Sequence, residues 1–438
     1  MKTALTALPL LLCLACSKLD QPALELLSQP ATVRVNALVP CLGPALTPQQ
    51  LAENTPFKVA DYFGEPGSLG KPGLGASQRS VPWCLVVLET QTLNGAQAMT
   101  AADELLTRKL YTRPYGLSLE QNAYASDPGT QSFDTNCDQL PALEREAASA
   151  QPIRVSQLRD LLGVRDANLD GRNTTVAVLD GGAAPGTFVS VYSRRFLEPD
   201  YPSTNPNGFA LADDFDCAQT PHFDGHGASV VRVLRAIAPQ TNVLLLKVCN
   251  AKGVCSTGSI IKALLYIRNR YKGVPLVDVV NMSFGGRPPL EDGVFKAMLQ
   301  DMMVEDPQTL FVTSMGNAPD SPAHYPADYQ GMHFSLVAVA AAKLSPTSTW
   351  TLASFNTSAT LGAGSYAPLA APAVRLVVDD ATGRTVTGTS FAAPVVTAIA
   401  LLKRQQDPNA NAIASHLHWN LQVAAEEIAG FKLLRLDR

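Results

Sequence analysis

The sequence predicts an α/β fold with a mostly parallel sheet flanked by helices, preceded by a small N-terminal α+β domain. Two observations lead to this prediction. From about residue 173 onwards, short runs of Val and Leu alternate with helical stretches. These runs are continuously apolar, as expected for parallel strands that are covered on both faces. The N-terminal third has a different composition and only a few ordered elements, which predicts a separate small domain.

The elements of the main domain follow one another at short spacing. The predicted elements are a strand at 175–179, a helix after Gly227, a strand at 242–248, a helix at 259–270, a strand at 277–281, a helix at 292–303, and strands at 309–314 and 335–341. Because active residues of such sheets lie at the carboxyl ends of the strands, these ends are the places to search.

Fewer helices and strands are predicted for the N-terminal third. Residues 17–80 are rich in Pro, Gly and Ser, which predicts irregular loops. A buried strand is predicted at 85–88, and helices are predicted at 95–110 and 140–150. The predicted division is therefore a signal peptide at 1–16, a pre-domain or prosegment with its linker at 17–150, and the main domain at 151–438.

The first sixteen residues predict export. Lys2 is followed by an apolar stretch of about twelve residues, a length typical of signal peptides and too short to span a bilayer. Leu14-Ala15-Cys16 is similar to a bacterial lipobox, in which Cys16 would become the lipidated N-terminus. We therefore expect a secreted or cell-envelope protein whose contact with a membrane is made only through that anchor. The formal net charge of −4 gives no indication of nucleic-acid binding.

The cysteines predict disulfides, since an exported protein is oxidised. Cys249 and Cys255 enclose a short turn that contains a glycine, and we expect them to pair. For Cys41, Cys84, Cys137 and Cys217 three pairings are open, and the sequence does not choose between them. No cysteine lies in a CxxC pair, and no Cys/His cluster resembles a zinc site.

Three polar residues stand at the ends of predicted elements. Asp180 ends the first strand of the main domain, His226 lies in Asp-Gly-His-Gly before a helix, and Ser390 lies in Gly-Thr-Ser-Phe-Ala-Ala-Pro at the start of an apolar helix. Cleavage of a peptide by nucleophilic attack needs a hydroxyl, a base and a carboxylate that orients the base. Asp180, His226 and Ser390 supply these groups, and the first turn of the helix offers unpaired N–H groups to an oxyanion. The glycines that flank His226 and Ser390 are expected to admit a substrate backbone, and Pro394 is expected in the first helical turn.

With these motifs the chain resembles the subtilisin-like serine peptidases (family S8) over roughly residues 170–405. The most specific match is Gly-Thr-Ser-Phe-Ala-Ala-Pro at 388–394. The order Asp, His, Ser is the known order of this family rather than a deduction from this sequence. The resemblance implies a serine endopeptidase with a subtilisin-like catalytic domain, polypeptide substrates and no required cofactor. Calcium is common in the family, but the sequence does not yield a ligand set for any metal.

The resemblance also implies further site residues. Asn281-Met-Ser-Phe-Gly-Gly is similar to the family's substrate-binding strand, and Ser314-Met-Gly-Asn stands where the family has Ala-Gly-Asn. Asn317 would then be the oxyanion donor. The adjacent glycines of the first motif predict an open pocket for large apolar side chains. The implied substrate-binding residues are Ser283, Phe284, Gly285, Gly286, Met315 and Gly316.

The sequence departs from the family at neighbouring positions. Asp180 is followed by Gly-Gly where the family has Thr or Ser and then Gly. His226 is followed by Gly-Ala-Ser in place of Gly-Thr-His, and Val395 stands where His is common. These changes leave the reacting groups in place and bear on rate and specificity.

Two alternatives remain open at this stage. A catalytically inactive relative could bind peptides in the same groove, although its usual mark, the loss of a triad residue or of the oxyanion Asn, is absent. Sedolisin-like acid peptidases share the Gly-Thr-Ser motif, but they use Glu in place of His226 and Asp in place of Asn317.

Residues 17–150 are expected to form a prosegment or a docked pre-domain that inhibits the enzyme intramolecularly. Cleavage is expected between about Ala147 and Gly171. The alternative is a permanent N-terminal domain that spaces the enzyme from a lipid anchor.

Overall fold

The protein is described here by a computed structural model. The described residues are 32–41, 47–64, 83–110, 114–121, 133–134, 140–183, 191–195, 225–249, 254–269, 276–286, 293–321, 324–357, 368–409, 414–423, 425–428 and 431–434. The predicted signal peptide and Cys16 lie outside them.

Strands and helices alternate through most of the described chain. The strands are β1 (Val33–Pro40), β2 (Lys58–Phe63), β3 (Trp83–Thr90), β4 (Gly116–Gln121), β5 (Phe133–Asp134), β6 (Ile153–Arg154), β7 (Thr175–Asp180), β8 (Val191–Arg195), β9 (Asn242–Lys247), β10 (Val254–Cys255), β11 (Val279–Met282), β12 (Leu310–Ser314), β13 (Leu336–Leu344), β14 (Trp350–Leu352), β15 (Leu369–Pro372), β16 (Leu376–Asp379), β17 (Arg384–Val386), β18 (Ala425–Ile428) and β19 (Phe431–Leu434). The α-helices are α1 (Pro48–Ala52), α2 (Gly95–Leu110), α3 (Leu140–Ala148), α4 (Leu158–Leu161), α5 (His226–Ile237), α6 (Thr257–Arg268), α7 (Gly293–Glu305), α8 (Thr389–Gln406) and α9 (Ala414–Val423). Short 3₁₀ helices lie at Val155–Gln157 and Ala327–Met332.

A large, mostly parallel sheet forms the centre of the main domain. Within the described residues it has ten strands, in the order β18-β19-β15-β13-β12-β11-β7-β9-β8, with β14 paired to β13. Only the β13–β14 and β18–β19 pairs are antiparallel. The predicted fold class is therefore confirmed, and each strand and helix predicted for the main domain overlaps an observed one.

Helices cover both faces of this sheet, as the continuous apolar runs predict. Val176 and Val178 of β7 face a core shared with α5 and α8. Ala177 and Leu179, one residue out of phase, face a second core shared with α6 and α7. Because neighbouring side chains of a strand point to opposite faces, a strand that is buried on both faces must be apolar at every position.

The N-terminal domain is an antiparallel sheet in the order β2-β3-β1-β4. Helix α2 packs on one face, as predicted from its apolar spacing. The strand predicted at 85–88 is the centre of β3. The expectation of irregular loops throughout 17–80 is wrong for β1, α1 and β2. The surrounding Pro and Gly residues obscured the two strands, whose pairing partners lie 22 or more residues further along the chain.

The other face of the small sheet packs against α6 and α7 of the main domain. Leu38, Leu85 and Val87 share a core with these helices. An ion pair joins Lys262 of α6 to Asp61 of β2. The two domains therefore bury a common apolar surface.

The segment from residue 140 packs on the main domain, although the sequence assigns residues up to 150 to the pre-domain and its linker. Glu146 of α3 forms an ion pair with Lys343 of β13 at 2.6 Å. Strand β6 pairs in parallel with β16, and Ile153 and Leu158 are buried in the core with α5 and α8. The residues predicted to be a cleavable linker are thus part of the packed core.

Two disulfides lie in the described residues. Cys249 and Cys255 are bonded, as predicted, with their Cα atoms 4.0 Å apart. Cys41 pairs with Cys84, which selects among the pairings that the sequence left open. Cys137 and Cys217 lie outside the described residues. Among the described helices, none combines the length and apolar character that crossing a membrane requires.

Candidate active site

Asp180 is held rigidly at the carboxyl end of β7. Its side chain is fully buried, and Oδ1 accepts a hydrogen bond of 2.7 Å from the Gly181 N–H. Its backbone carbonyl accepts bonds from the N–H groups of Val248 and Cys249, just beyond β9. The carboxylate therefore has a fixed position at the edge of the sheet where a parallel fold presents its active residues.

His226 is the first residue of α5 and is directed at this carboxylate. Nδ1 lies 2.7 Å from Asp180 Oδ1. A donor at this distance from a carboxylate fixes the tautomer, so the proton is on Nδ1 and Nε2 carries the lone pair.

Gly227 has a different role from the one expected. A Cβ atom at this position would lie 2.9 Å from the carbonyl oxygen of Gly182 and 3.0 Å from that of Gly181. The glycine therefore lets α5 begin directly against the loop that follows Asp180, which brings His226 to the carboxylate. The close approach is made by the protein's own backbone rather than by a substrate.

Ser390 is the second residue of α8, which packs against α5. The ring of Phe391, the next residue, has its centroid 5.2 Å from that of the His226 ring. Ser390 Oγ donates a hydrogen bond of 3.0 Å to the carbonyl oxygen of Ser283. The three residues predicted to act together are thus carried by β7 and the starts of two neighbouring helices.

Pro394 lies within α8 rather than in its first turn. Because proline has no N–H, it cannot bond to the carbonyl of Ser390, four residues earlier. That carbonyl instead accepts a bond of 2.7 Å from Ser283 Oγ. Ser283 and Ser390 therefore exchange two hydrogen bonds, which tie the end of β11 to the start of α8.

Asn317 is buried and oriented by the residue before the serine. Its Oδ1 accepts two hydrogen bonds of 2.9 Å, from the N–H and from Oγ1 of Thr389. With Oδ1 occupied, Nδ2 has no bond within the part of the chain that the structure describes. A Cβ atom at Gly388 would lie 3.4 Å from Nδ2, so this N–H₂ group lies beside the residues that lead into Ser390.

The predicted substrate-binding residues form two segments beside the serine, from Ser283 to Gly286 and from Met315 to Asn317. The side chains of Phe284 and Met315 are only 1% exposed and lie in the apolar cores. A substrate could therefore contact these two residues only through their backbone. The other predicted contacts are made by Ser283 and by glycines.

Within the described part of the chain, the space beside Gly285, where an open pocket is expected, is filled by a side chain. The imidazole of His324 occupies the space beside this glycine, since a Cβ atom on Gly285 would lie 2.2 Å from His324 Nε2. Burial lowers the pKa of His324 to about 4, so its ring is uncharged at neutral pH. Asp328, four residues later, has its pKa raised to about 6 by burial, against the opposing effect of a hydrogen bond from the His324 backbone.

Sequence reasoning missed several residues that hold the site together. Asn281 Nδ2 donates to Ser283 Oγ at 2.9 Å, and Asn281 Oδ1 accepts from Thr397 Oγ1 of α8 at 3.0 Å. Asn281 stood in a quoted motif, but only the fold shows its partners. Thr389 Oγ1 also accepts the Gly316 N–H at 3.1 Å, so it links both sides of Asn317. Among the described residues there is no group of three or more His, Cys, Asp or Glu side chains arranged to hold a metal ion.

Comparison with known proteins identifies a family and, among individual proteins, the following similarities. The family model described as "Subtilase family" (Peptidase_S8) matches residues 171–425, more than half of the chain. The chain is 28% identical over 327 residues to the minor extracellular protease Epr of Bacillus subtilis (strain 168); the alignment covers 72% of this chain and 44% of that protein. This chain thus spans less than half the length of that relative. A cold-adapted subtilisin-like serine proteinase of known structure is similar with 21% identity and a TM-score of 0.45, over 62% of this chain and 91% of that one.

Proposed function

The chain belongs to the subtilase family of serine peptidases, and we propose that it is a secreted endopeptidase with Ser390 as nucleophile, His226 as general base and Asp180 as the carboxylate that orients the base. The observation that carries this proposal is the 2.7 Å bond between His226 Nδ1 and the buried carboxylate of Asp180, together with the position of Ser390 in the first turn of α8.

The reaction that we propose begins with the transfer of a proton. His226 Nε2 takes the proton of Ser390 Oγ as this oxygen attacks the carbonyl carbon of the substrate, and the imidazolium that forms is stabilised by Asp180. Ser390 Oγ donates to the Ser283 carbonyl in the free enzyme, and we expect it to turn to Nε2 when a substrate binds. Catalytic hydrogen bonds often form only in the substrate complex.

We propose that Asn317 Nδ2 stabilises the oxyanion. The support is the orientation of the amide, whose Oδ1 is occupied by Thr389 and whose Nδ2 lies beside the start of α8. Backbone N–H groups in the first turn of α8 lack partners within the helix, and the one at Ser390 would be a second donor.

The test of the nucleophile is labelling of the purified protein with a fluorophosphonate, followed by peptide mapping. We expect a single label on Ser390, and no label in Ser390→Ala or His226→Ala. Ser256→Ala is the matched control, because Ser256 also stands at a helix start, where it caps α6, and should leave labelling intact. Label that persists in Ser390→Ala would refute the assignment, and a folded wild-type protein that takes no label would favour an inactive peptide-binding relative.

We propose that the small N-terminal domain is a prosegment that occupies the substrate groove. Support comes from β5, which pairs with β10 in an antiparallel arrangement. In this pair Phe133 of β5 lies opposite Cys255 of β10. Strand β10 is attached through the Cys249–Cys255 disulfide to the segment whose backbone bonds to Asp180. The chain itself thus runs along an edge next to the proposed active site, as an extended peptide substrate would.

The same features indicate where self-cleavage would occur. The described residues up to Asp134 belong to the docked domain and its strand on β10, whereas the described segment that begins at Leu140 packs on the main domain. We therefore propose cleavage after Asp134 and before Leu140, in place of the stretch between Ala147 and Gly171 that the sequence alone favoured.

We propose that the protein is exported. The support is the presence of disulfides, which form in oxidising compartments, and the similarity to a relative that is named an extracellular protease. The lipid anchor at Cys16 stays a prediction. Its test is metabolic labelling with palmitate, which should be incorporated in wild type and lost in Cys16→Ser.

A further inference from the structure

The backbone of His324 is fixed against the segment that follows β11. The next residue, Tyr325, exchanges two backbone hydrogen bonds with Gly286, of 2.8 and 3.0 Å. The carbonyl of His324 accepts a bond of 3.0 Å from the Asp328 N–H. The backbone of His324 therefore cannot move away from Gly285 without breaking these bonds.

The imidazole of His324 spans the space between two glycines. A Cβ atom on Gly285 would lie 2.2 Å from Nε2, and one on Gly316 would lie 2.6 Å from Cγ and Nδ1. These distances are far below van der Waals contact, so neither position could carry a side chain while the ring is there. The ring thus contacts one glycine with each of its ends, and His324 as a whole is only 4% exposed.

Both glycines lie next to groups that act on the substrate. Gly285 is two residues from Ser283, which is bonded to Ser390, and Gly316 directly precedes Asn317. A substrate carbonyl that is attacked by Ser390 and bound by Asn317 Nδ2 must lie between these two segments. The side chain on the same substrate residue then points into the space between the glycines, which His324 already fills.

We propose, on the basis of the peptidase activity inferred above, that His324 restricts the residue whose carbonyl is attacked to small side chains such as those of Gly, Ala and Ser. A larger side chain would need the imidazole to leave its place. Forcing additional atoms into a packed site strains the surrounding structure, and rejection by steric exclusion is the consequence.

The burial and the charge of the His324 ring support its remaining in this position. Nε2 is buried and has no hydrogen-bond partner among the described residues. Burial also keeps the ring uncharged at neutral pH, since it lowers the pKa to about 4. An uncharged ring is not drawn towards water as an imidazolium would be, and it stays between the glycines.

The test uses two peptides that differ only in the residue before the scissile bond, Ala or Phe. With wild-type enzyme we expect kcat/KM for the Ala peptide to exceed that for the Phe peptide by at least about tenfold, the lower end of what a difference of one methylene achieves. His324→Gly should raise kcat/KM for the Phe peptide by at least about tenfold and leave the Ala peptide within about threefold. His324→Asn keeps more of the side-chain volume than His324→Gly does. Its kcat/KM for the Phe peptide should therefore lie between those of the wild type and His324→Gly.

Controls separate specificity from folding. The concentration of active enzyme in each variant is measured by titration with the fluorophosphonate. His418→Asn removes another buried histidine, one that bonds to the Phe334 carbonyl and contacts neither glycine, and it should keep the wild-type preference. If no variant at position 324 folds, the ratio of kcat/KM for the Ala and Phe peptides in the wild-type enzyme still tests the proposal.

Two results would overturn the proposal. One is a wild-type enzyme that cleaves after Phe as efficiently as after Ala, and the other is an active His324→Gly variant with an unchanged ratio. Failure of the proposed function differs from both, because the wild-type protein would then cleave neither peptide and take no label.

Discussion

At the scale of single residues, the site depends on how each polar group is held. Asp180 and His226 face each other because Gly227 allows a helix to begin against a loop. Asn317 is oriented by two donors of Thr389, and Ser390 is tied to Ser283 where Pro394 leaves a carbonyl free. Each of these residues is thus positioned by partners that lie more than 40 positions away in the chain.

Asn317→Ala tests the proposed oxyanion donor. We expect kcat to fall by about 10²–10³ with little change in KM, the loss found when the corresponding donor of a subtilisin is removed. The amide acts on charge that develops only in the transition state, so substrate binding should be spared. Asn168→Ala, at an exposed position, is the control and should retain wild-type kinetics. A kcat within twofold of wild type in Asn317→Ala would mean that another group binds the oxyanion.

The lowered pKa of His418 leads to a prediction of how the free energy of unfolding depends on pH. Burial lowers its pKa to about 4, against a small opposing effect of its bond to the Phe334 carbonyl. Between pH 6.5 and 4 the unfolded chain therefore binds a proton that the folded protein does not, and stability falls as the pH falls. By pH 4.5 this histidine should remove about 2–3 kcal/mol from the free energy of unfolding.

Urea denaturation at pH 7 and pH 4.5 measures this effect, in a Ser390→Ala background that prevents autolysis. His418→Asn should lose about 2–3 kcal/mol less between the two pH values than the parent. His416→Asn, on the same helix at an exposed position, is the control and should behave as the parent does. Equal losses in the parent and in His418→Asn would show that His418 is protonated in the folded protein.

At the scale of elements, the two domains meet through backbone contacts as well as side chains. Strand β4 approaches the first turn of α7 closely. A Cβ atom on Gly293 would lie 2.4 Å from the carbonyl oxygen of Leu117, and one on Gly116 would lie 2.7 Å from that of Gly293. Neither backbone can move easily, because one belongs to a sheet and the other to a helix.

Gly293→Ala should therefore loosen the docking of the N-terminal domain. Alanine favours a helix by about 1 kcal/mol over glycine, so the intrinsic effect would be stabilising. We expect the clash to prevail and to lower the free energy of unfolding of unprocessed Ser390→Ala protein by about 1–3 kcal/mol. The control is Gly95→Ala, which also begins a helix but meets only the end of the Leu119 side chain. A Gly293→Ala protein at least as stable as its parent would contradict the close approach.

At the scale of the whole molecule, the small sheet, β5 and the main domain form one continuous arrangement. The sheet covers α6 and α7, and β5 lies on β10. An uncleaved chain in this arrangement would keep the edge of β10 from substrates.

Expression of wild type beside Ser390→Ala tests the role of this arrangement. We expect the wild-type chain to be shortened, with a new N-terminus between residues 135 and 140, and the variant to stay uncut. Intact mass and N-terminal sequencing give the result. An active wild-type protein that keeps its whole N-terminal domain would show that the domain is a permanent part of the enzyme, and a new terminus between 148 and 171 would contradict the proposed position.

The sequence by itself determined the fold class, most elements of the main domain, the Cys249–Cys255 pair and the residues that we propose for catalysis. Local patterns suffice for these, since strands buried on both faces are continuously apolar and a reactive motif is contiguous in the chain. Only the tertiary structure decided that β1 and β2 are strands, that residues from 140 onwards join the main domain, and that His324 fills the space beside Gly285. Each of these depends on partners distant in sequence: β1 on β3 and β4, β6 on β16, and His324 on two glycines that follow different strands. A local pattern carries no information about which distant segment will come to lie against it, and packing alone determines that.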